Sequence, residues 1–353
     1  MKQQWEKVSI LTDNGEIKEG IAPVIISASR ATDIPAFHAQ WFMNRLEKGY
    51  IRWENRFAPN SPKYISLENV RLIVFWTKNP DPLIRYLDIL KQKDLNFYFQ
   101  YTLNDYETEK FEPAVPPLGQ RIETFQALSE QIGKERIIWR FDPLLLAEDV
   151  SVNDLLLKVK TIGDELVRHT DKLVFSFADV FSYPRVKANL IKDSDYFTKK
   201  NINFSEFTTE KKHEMASELQ LMLHKWRKIN PDFSMATCAE DIDLAQYEIE
   251  HNKCIDDDLM IRVFPNDAKL MSFIGHTPEL FGSDGRTVAQ RKQLKDRNQR
   301  PLCGCVYSKD VGCYTTCAHY CTYCYANTSH EQVRINMRQT NPNSDTVLQT
   351  DKR

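Results

Sequence analysis

The chain has 353 residues, 42% of them hydrophobic and 27% charged, and a formal net charge of -2. That is ordinary for a soluble globular protein and enough for one large domain or two smaller ones around a buried core. Near-neutral charge gives no electrostatic case for nucleic acid or a membrane surface, though a local basic groove remains compatible with it.

The start, Met1 to Gly20, is polar and mixed in charge, unlike a secretory signal. The apolar runs, such as Leu72 to Trp76, are too short to span a bilayer. The expectation is a cytoplasmic protein with no membrane partner. In that setting eight cysteines favour metal over disulfides.

Val24 to Arg30 is an apolar, β-branched run that ends polar, and it reads as a buried strand. Thr32 or Asp33 can cap a helix with Pro35 in its first turn, and Phe37, Trp41, Phe42 and Leu46 continue at helical spacing to Gly49. The unit recurs. Strands are expected at 71–77, 96–102, 136–143, 172–179 and 233–238. Helices are expected at about 80–91, 116–132, 152–169 and 205–228. Strands alternating with helices imply a parallel sheet.

A doubly wound open sheet and a TIM-like (β/α) barrel, complete or partial, both fit. The barrel is favoured because every strand ends in polar residues. These are Ser29 and Arg30; Lys78 and Asn79; Gln100 and Thr102; Arg140 and Asp142; Ser176 and Asp179; Cys238 and Glu240. A barrel gathers such ends at one mouth. No Gly-rich phosphate loop follows any strand. The expected organisation is an N-terminal extension over 1–20, a barrel over 21–240, a cysteine-bearing segment over 241–338 that closes the mouth, and a polar, disordered tail over 339–353. A basic stretch from Arg286 to Arg300 reads as a solvated helix face rather than a nucleic-acid site.

The densest chemistry lies near the end of the chain. Cys317, Cys321 and Cys324 form C-x3-C-x2-C, with Tyr323 just before the last cysteine. Three thiolates can hold three irons of a [4Fe–4S] cluster and leave the fourth open, whereas four give a closed site. Structural zinc is the competing reading of such spacing. Cys238, Cys254, Cys303 and Cys305 could make a second site, either a [4Fe–4S] cluster or a tetrahedral zinc, with Cys313 as a spare ligand. The alternative is a core thiol at Cys238 and a loop thiol at Cys254.

The Cys317–Cys324 segment resembles the cluster loop of radical S-adenosylmethionine enzymes. Together with Ile26 to Pro35, Phe75 to Pro80, Trp139 to Pro143, Cys238-Ala239-Glu240, Cys254-Ile255-Asp256 and Cys303-Gly304-Cys305, it is also similar to an uncharacterised bacterial family with such a cluster at its C-terminus. In the superfamily the loop usually follows the first barrel strand, so its position here is a departure. A local similarity to spore photoproduct lyase raises nucleic-acid repair or modification as an alternative. A non-catalytic zinc or iron–sulfur protein with a structural or redox-sensing role is another.

The resemblance implies a [4Fe–4S] cluster and S-adenosylmethionine, with Tyr323 packed beside them. A 5′-deoxyadenosyl radical would abstract hydrogen from a substrate the resemblance does not name, and a reductant such as flavodoxin or ferredoxin would supply the electron. Arg30, Lys78 and Arg140 are candidates for binding a carboxylate or phosphate, against ion pairing with Asp33, Asp142 or Asp179. Asp142 is a candidate base or cofactor contact, and a structural turn before Pro143 is the alternative. Asn79, Gln100, Thr102, Ser176 and Glu240 are candidate cofactor contacts, with strand-end capping as the plainer reading. His319 reads as a solvent-facing loop histidine, and Trp76 and Trp139 as core.

Overall fold

The computed structural model describes residues 5–55, 58–276 and 294–349. Residues 286–293 of the basic stretch and the last four of the tail lie outside the described residues.

Two strands open the chain, β1 (Glu6–Leu11) and β2 (Ile17–Ala22), followed by β3 (Ile25–Ala28), α1 (Ile34–Phe37) and α2 (Ala39–Lys48). Next come β4 (Tyr50–Asn55), β5 (Ala58–Ser66), β6 (Leu72–Thr77), α3 (Asp81–Ile84), α4 (Leu87–Gln92), β7 (Asn96–Thr102), α5 (Leu118–Ile132) and β8 (Ile137–Leu144). The second half holds α6 (Val152–Leu166), β9 (Lys172–Phe177), α7 (Pro184–Asp193), α8 (Thr209–Trp226), β10 (Ser234–Thr237), β11 (Ile249–His251), α9 (Asp257–Val263) and α10 (Ala268–Phe273). The chain closes with β12 (Lys309–Asp310) and α11 (His330–Arg338).

All six expected strands are present, and they form one parallel sheet with β11 and β12. Its order is β11-β10-β9-β8-β7-β6-β3-β12. The strands are near-continuous apolar runs because both faces are covered. Ile73, Phe75, Phe97, Phe99, Trp139 and Phe175 pack with the flanking helices in the larger core. Leu72, Val74, Tyr98, Ile138 and Val174 pack on the other face with Leu259 and Met260 of α9 and Leu270 and Met271 of α10.

The sheet does not close into a barrel. Its edge strands are β11 and β12, and they are not hydrogen-bonded to each other. The two edges nevertheless meet just beyond their ends, where the Val306 amide donates to Ile255 O at 2.9 Å.

Local signals explain several elements. Asp33 caps α1 as expected, its Oδ1 accepting the Ala36 amide at 2.9 Å. Ser151 and Asp154 form a capping box at the start of α6. Gly163 lets α6 and α8 approach closely, since a Cβ there would lie 2.1 Å from the Trp226 ring.

β1 and β2 pair, and with β4 and β5 they make a second, four-stranded sheet in the order β1-β2-β5-β4. The expected disorder of the tail is not what is observed up to residue 349. Trp41 Nε1 donates to Ser344 O at 3.0 Å, Arg52 pairs with Asp345 at 3.0 Å, and Val347 and Leu348 are buried. A short apolar anchor inside a polar stretch was enough to hold it.

A candidate cysteine-lined site at the strand ends

The loop carrying Cys317, Cys321 and Cys324 follows β12 and lies over the C-terminal ends of several parallel strands. After β3, Asp33 Oδ2 lies 2.8 Å from His319 Nε2 and accepts the Lys78 amide at 2.7 Å. After β7, Phe111 O accepts the Thr322 amide at 2.9 Å. From α7, Asn189 Nδ2 donates to Cys324 O at 3.0 Å. The chain turns between the first two cysteines at Tyr320, whose φ of 57° is left-handed. His319 is therefore not solvent-facing. It is 2% exposed, because its ring fills the space between Asp33 and Phe37.

Burial raises all three thiols. Cys317 is pushed up to about 12 by burial, then by Asp33 and Cys324, while burial carries Cys321 well above the ordinary range. Cys324 is also raised by burial, and its Sγ accepts the Ala326 amide at 3.3 Å. Lys78 opposes the rise at Cys321 and Cys324. A coordinated cation reverses such a preference, because a ligating thiol is deprotonated outright. Thiolates sharing one zinc at about 2.3 Å each lie within about 4 Å of one another. Among the described residues only Asp256, Asp257 and Asp258 bring three ligand atoms within 4.8 Å of each other. The three sulfurs of the triad are not gathered that tightly.

Under the loop lies a buried polar network. Lys78 Nζ donates to Glu112 Oε1 at 2.7 Å and to Tyr323 Oη at 3.0 Å. Tyr323 Oη itself donates to Glu112. Asn104 Nδ2 reaches Glu112 at 2.9 Å and Tyr323 at 3.1 Å, and Arg121 stands 3.6 Å from the other Glu112 oxygen. Burial alone would raise Glu112, but Lys78 and Arg121 outweigh it and hold the carboxyl below its usual range.

Of these residues, Lys78 and Tyr323 stand out in the sequence. Asn104, Glu112 and Arg121 do not, because they lie in an irregular loop or inside a helix, with no motif to mark them. Their only signal is a cluster of polar residues between β7 and α5.

The other cysteines gather across the sheet. Cys238 follows β10, Cys254 follows β11, and Cys303 and Cys305 precede β12. Cys238 Sγ is 3.5 Å from Cys254 Sγ. Cys305 Sγ accepts the amides of Cys254 at 3.2 Å and Ile255 at 3.4 Å. Cys254 Sγ accepts from Arg140 Nη1 at 3.1 Å and from Asn252 Nδ2 at 3.2 Å. Gln100 lies here too, donating to Cys254 O at 2.8 Å and accepting from Arg140 at 3.1 Å. Arg140 pairs with Asp142, which accepts from Ser176. Asp142 connects the two cysteine groups, since its amide donates to Asn104 Oδ1 at 2.9 Å.

Arg30 and Arg140 sit against Trp76, their guanidinium carbons 5.0 and 5.3 Å from its ring centroid. Burial alone would lower Arg30, but Cys305, Asp310 and Cys254 outweigh it and hold it charged.

The remaining candidates are dispersed. Asn79 Oδ1 accepts the Asp81 amide at 3.3 Å and serves the turn into α3. Thr102 is half-buried beside Arg140 in the β7–β8 register. Glu240 accepts the Phe177 amide at 3.0 Å and pairs with Lys212 at 3.4 Å. Burial raises its carboxyl to about 7. Asp179 pairs with Arg300 at 2.8 Å. Trp139 is core, with no exposure, and Trp76 is half-buried.

Fold and site together define an α/β protein on an eight-stranded parallel sheet, with two groups of cysteines beyond the strand ends. The chain belongs to the family described as Domain of unknown function (DUF1848), which it matches over residues 25–326. No curated protein and no solved structure matches it. Among the described residues no helix is long and apolar enough to cross a membrane.

Proposed function

We propose that this protein is a radical S-adenosylmethionine-type iron–sulfur enzyme, with Cys317, Cys321 and Cys324 as the three thiolate ligands of a [4Fe–4S] cluster. One observation carries the reading. Three thiols at C-x3-C-x2-C, Cys321 buried and Cys317 and Cys324 half-buried, occupy one loop at the strand ends of a parallel sheet and are backed by the Lys78–Glu112–Tyr323 network. When bound, such a cluster supplies an open iron for S-adenosylmethionine and the electron that cleaves it to a hydrogen-abstracting radical.

The chain's own residues bind and exclude water. Tyr323 is pinned by Lys78, Asn104 and Glu112, so its ring fixes the loop against the sheet. Lys78 places a cation near Cys321 and Cys324, which offsets the anionic character of bound thiolates. The sheet works in this reading as a partial barrel, unclosed at one seam. An external protein reductant such as flavodoxin or ferredoxin supplies the electron.

The test is anaerobic purification with iron and zinc counted, then addition of dithionite and S-adenosylmethionine. Formation of 5′-deoxyadenosine that is lost in Cys321→Ala is the expected result. Zinc alone, with no product after reconstitution with iron and sulfide, would overturn it.

A further inference from the structure

Cys238, Cys254, Cys303 and Cys305 come from three separate stretches of chain, and they meet as a string rather than within one 4.8 Å group. Cys238 faces Cys254 at 3.5 Å, Cys254 and its neighbour Ile255 present their amides to Cys305, and Cys303 stands two positions before Cys305. Four N–H groups point at two sulfurs, those of Cys254 and Cys305. Thiol sulfur is a weak acceptor and metal-bound thiolate a stronger one, so these donors are placed to serve sulfurs that a metal has deprotonated. Among those donors is the guanidinium of Arg140, while Arg30, next to the same sulfurs, has a buried Nη2 with no hydrogen-bond partner. Cys254 and Cys305 are 4% and 1% exposed, so an anion here must be compensated locally.

The place matters as much as the chemistry. β11 and β12 are the two edges of the eight-stranded sheet and share no ladder. Cys254 lies just after one edge, and Cys303 and Cys305 lie just before the other. Gly304 packs against Lys253, whose Cγ would lie 3.0 Å from a Cβ placed there.

We propose that these four cysteines bind a second, four-thiolate metal centre, a zinc ion or an iron–sulfur cluster, that staples the two edges of the sheet across their unbonded seam. Four thiolates leave no open position, so the centre is structural or electron-transferring rather than substrate-binding. It does not depend on the radical chemistry proposed for the other three cysteines.

The experiment therefore removes those three. The variant Cys317→Ala/Cys321→Ala/Cys324→Ala is purified anaerobically, reconstituted with iron and sulfide, and analysed for metal. About four irons or about one zinc per chain is expected, and which of them appears identifies the centre. Adding Cys303→Ser and Cys305→Ser should abolish that metal and speed proteolysis or amide exchange of segments 249–256 and 303–312. A triple variant that does not fold is replaced by the wild type, whose metal content should fall by the same amount on Cys303→Ser/Cys305→Ser alone. Absence of metal, with four thiols that alkylate or a Cys238–Cys254 disulfide in its place, overturns the proposal. Metal that persists when Cys303 and Cys305 are replaced also overturns it.

Discussion

Glu112 is the residue on which the cysteine loop rests. Its side chain is 3% exposed, and its carboxylate serves Lys78, Tyr323, Asn104 and Arg121 at once. Glu112→Gln keeps the shape and removes the charge, so Lys78 and Arg121 are left buried without their carboxylate. Breaking a buried pair from one side costs about 3–5 kcal/mol, against about 0–1 kcal/mol for an exposed pair. The variant should therefore lose about 3 kcal/mol or more at neutral pH, read as a lower urea midpoint at unchanged slope.

The sign of the pH dependence follows from the depressed carboxyl. The wild type keeps this stabilisation above the unfolded value of about 4.3 and loses it as pH falls through the lower folded value, so the two proteins converge in acid. Lys78→Met combined with Glu112→Gln should be less damaging than the sum of the two singles. A loss under about 1 kcal/mol, or simple additivity, would refute the account of the network as a single charge-compensated unit.

Two further outcomes are expected. His38 is buried with Nε2 3.0 Å from Thr316 O; burial lowers its pKa, only partly opposed by that carbonyl and by Asp33. Below about 6.5 the unfolded chain takes up a proton that folded His38 resists, so stability should fall with pH there. His38→Gln should flatten that slope between about pH 5 and 7 in urea titrations, and equal slopes would count against it. Deleting residues 341–353 should cost roughly 3–6 kcal/mol as an upper bound, because Val347 and Leu348 leave the core and Trp41 Nε1 loses Ser344 O. An unchanged melting temperature would show that the C-terminal packing contributes nothing.

The parallel sheet was legible because strands such as Leu72–Thr77 are buried on both faces and read as unbroken apolar runs. β11 and β12, with three and two residues, are too short to carry any period. β1 is largely exposed and β2 only half-buried, and both are interrupted by charge, so their alternation was lost among polar residues. Whether the sheet closes was not written in the alternation either. An open sheet and a barrel share it, and the difference lies at the edge strands β11 and β12, which share no ladder while Val306 N–H donates to Ile255 O beyond them. For the site, local spacing was enough to single out the triad. Partners set by folding were not visible. Lys78 finds Glu112 rather than Asp33, and Glu112 meets Tyr323 from 211 positions away.

The apparent departure in the order of the chain also has a physical resolution. A cluster loop expected after the first strand of the sheet instead follows the last. But β12 pairs in parallel with β3, with Lys309 opposite Ile26 and Asp310 opposite Ser27. Asp310 accepts from Ser27 Oγ at 3.1 Å and from the Arg30 amide at 2.8 Å, which locks the two strand ends together. Gly312 then passes so close that a Cβ would lie 1.8 Å from Ser29 Oγ. A loop leaving β12 therefore emerges at the same edge, and one strand away from, a loop leaving β3. Connectivity differs while position is kept. The 31–35 turn after β3 becomes a support, with Asp33 holding His319, and the cysteines arrive over the strand ends from the neighbouring strand. Chemistry at a site depends on where side chains are held and not on the order in which the chain delivers them, so a C-terminal triad is no obstacle to the proposed activity.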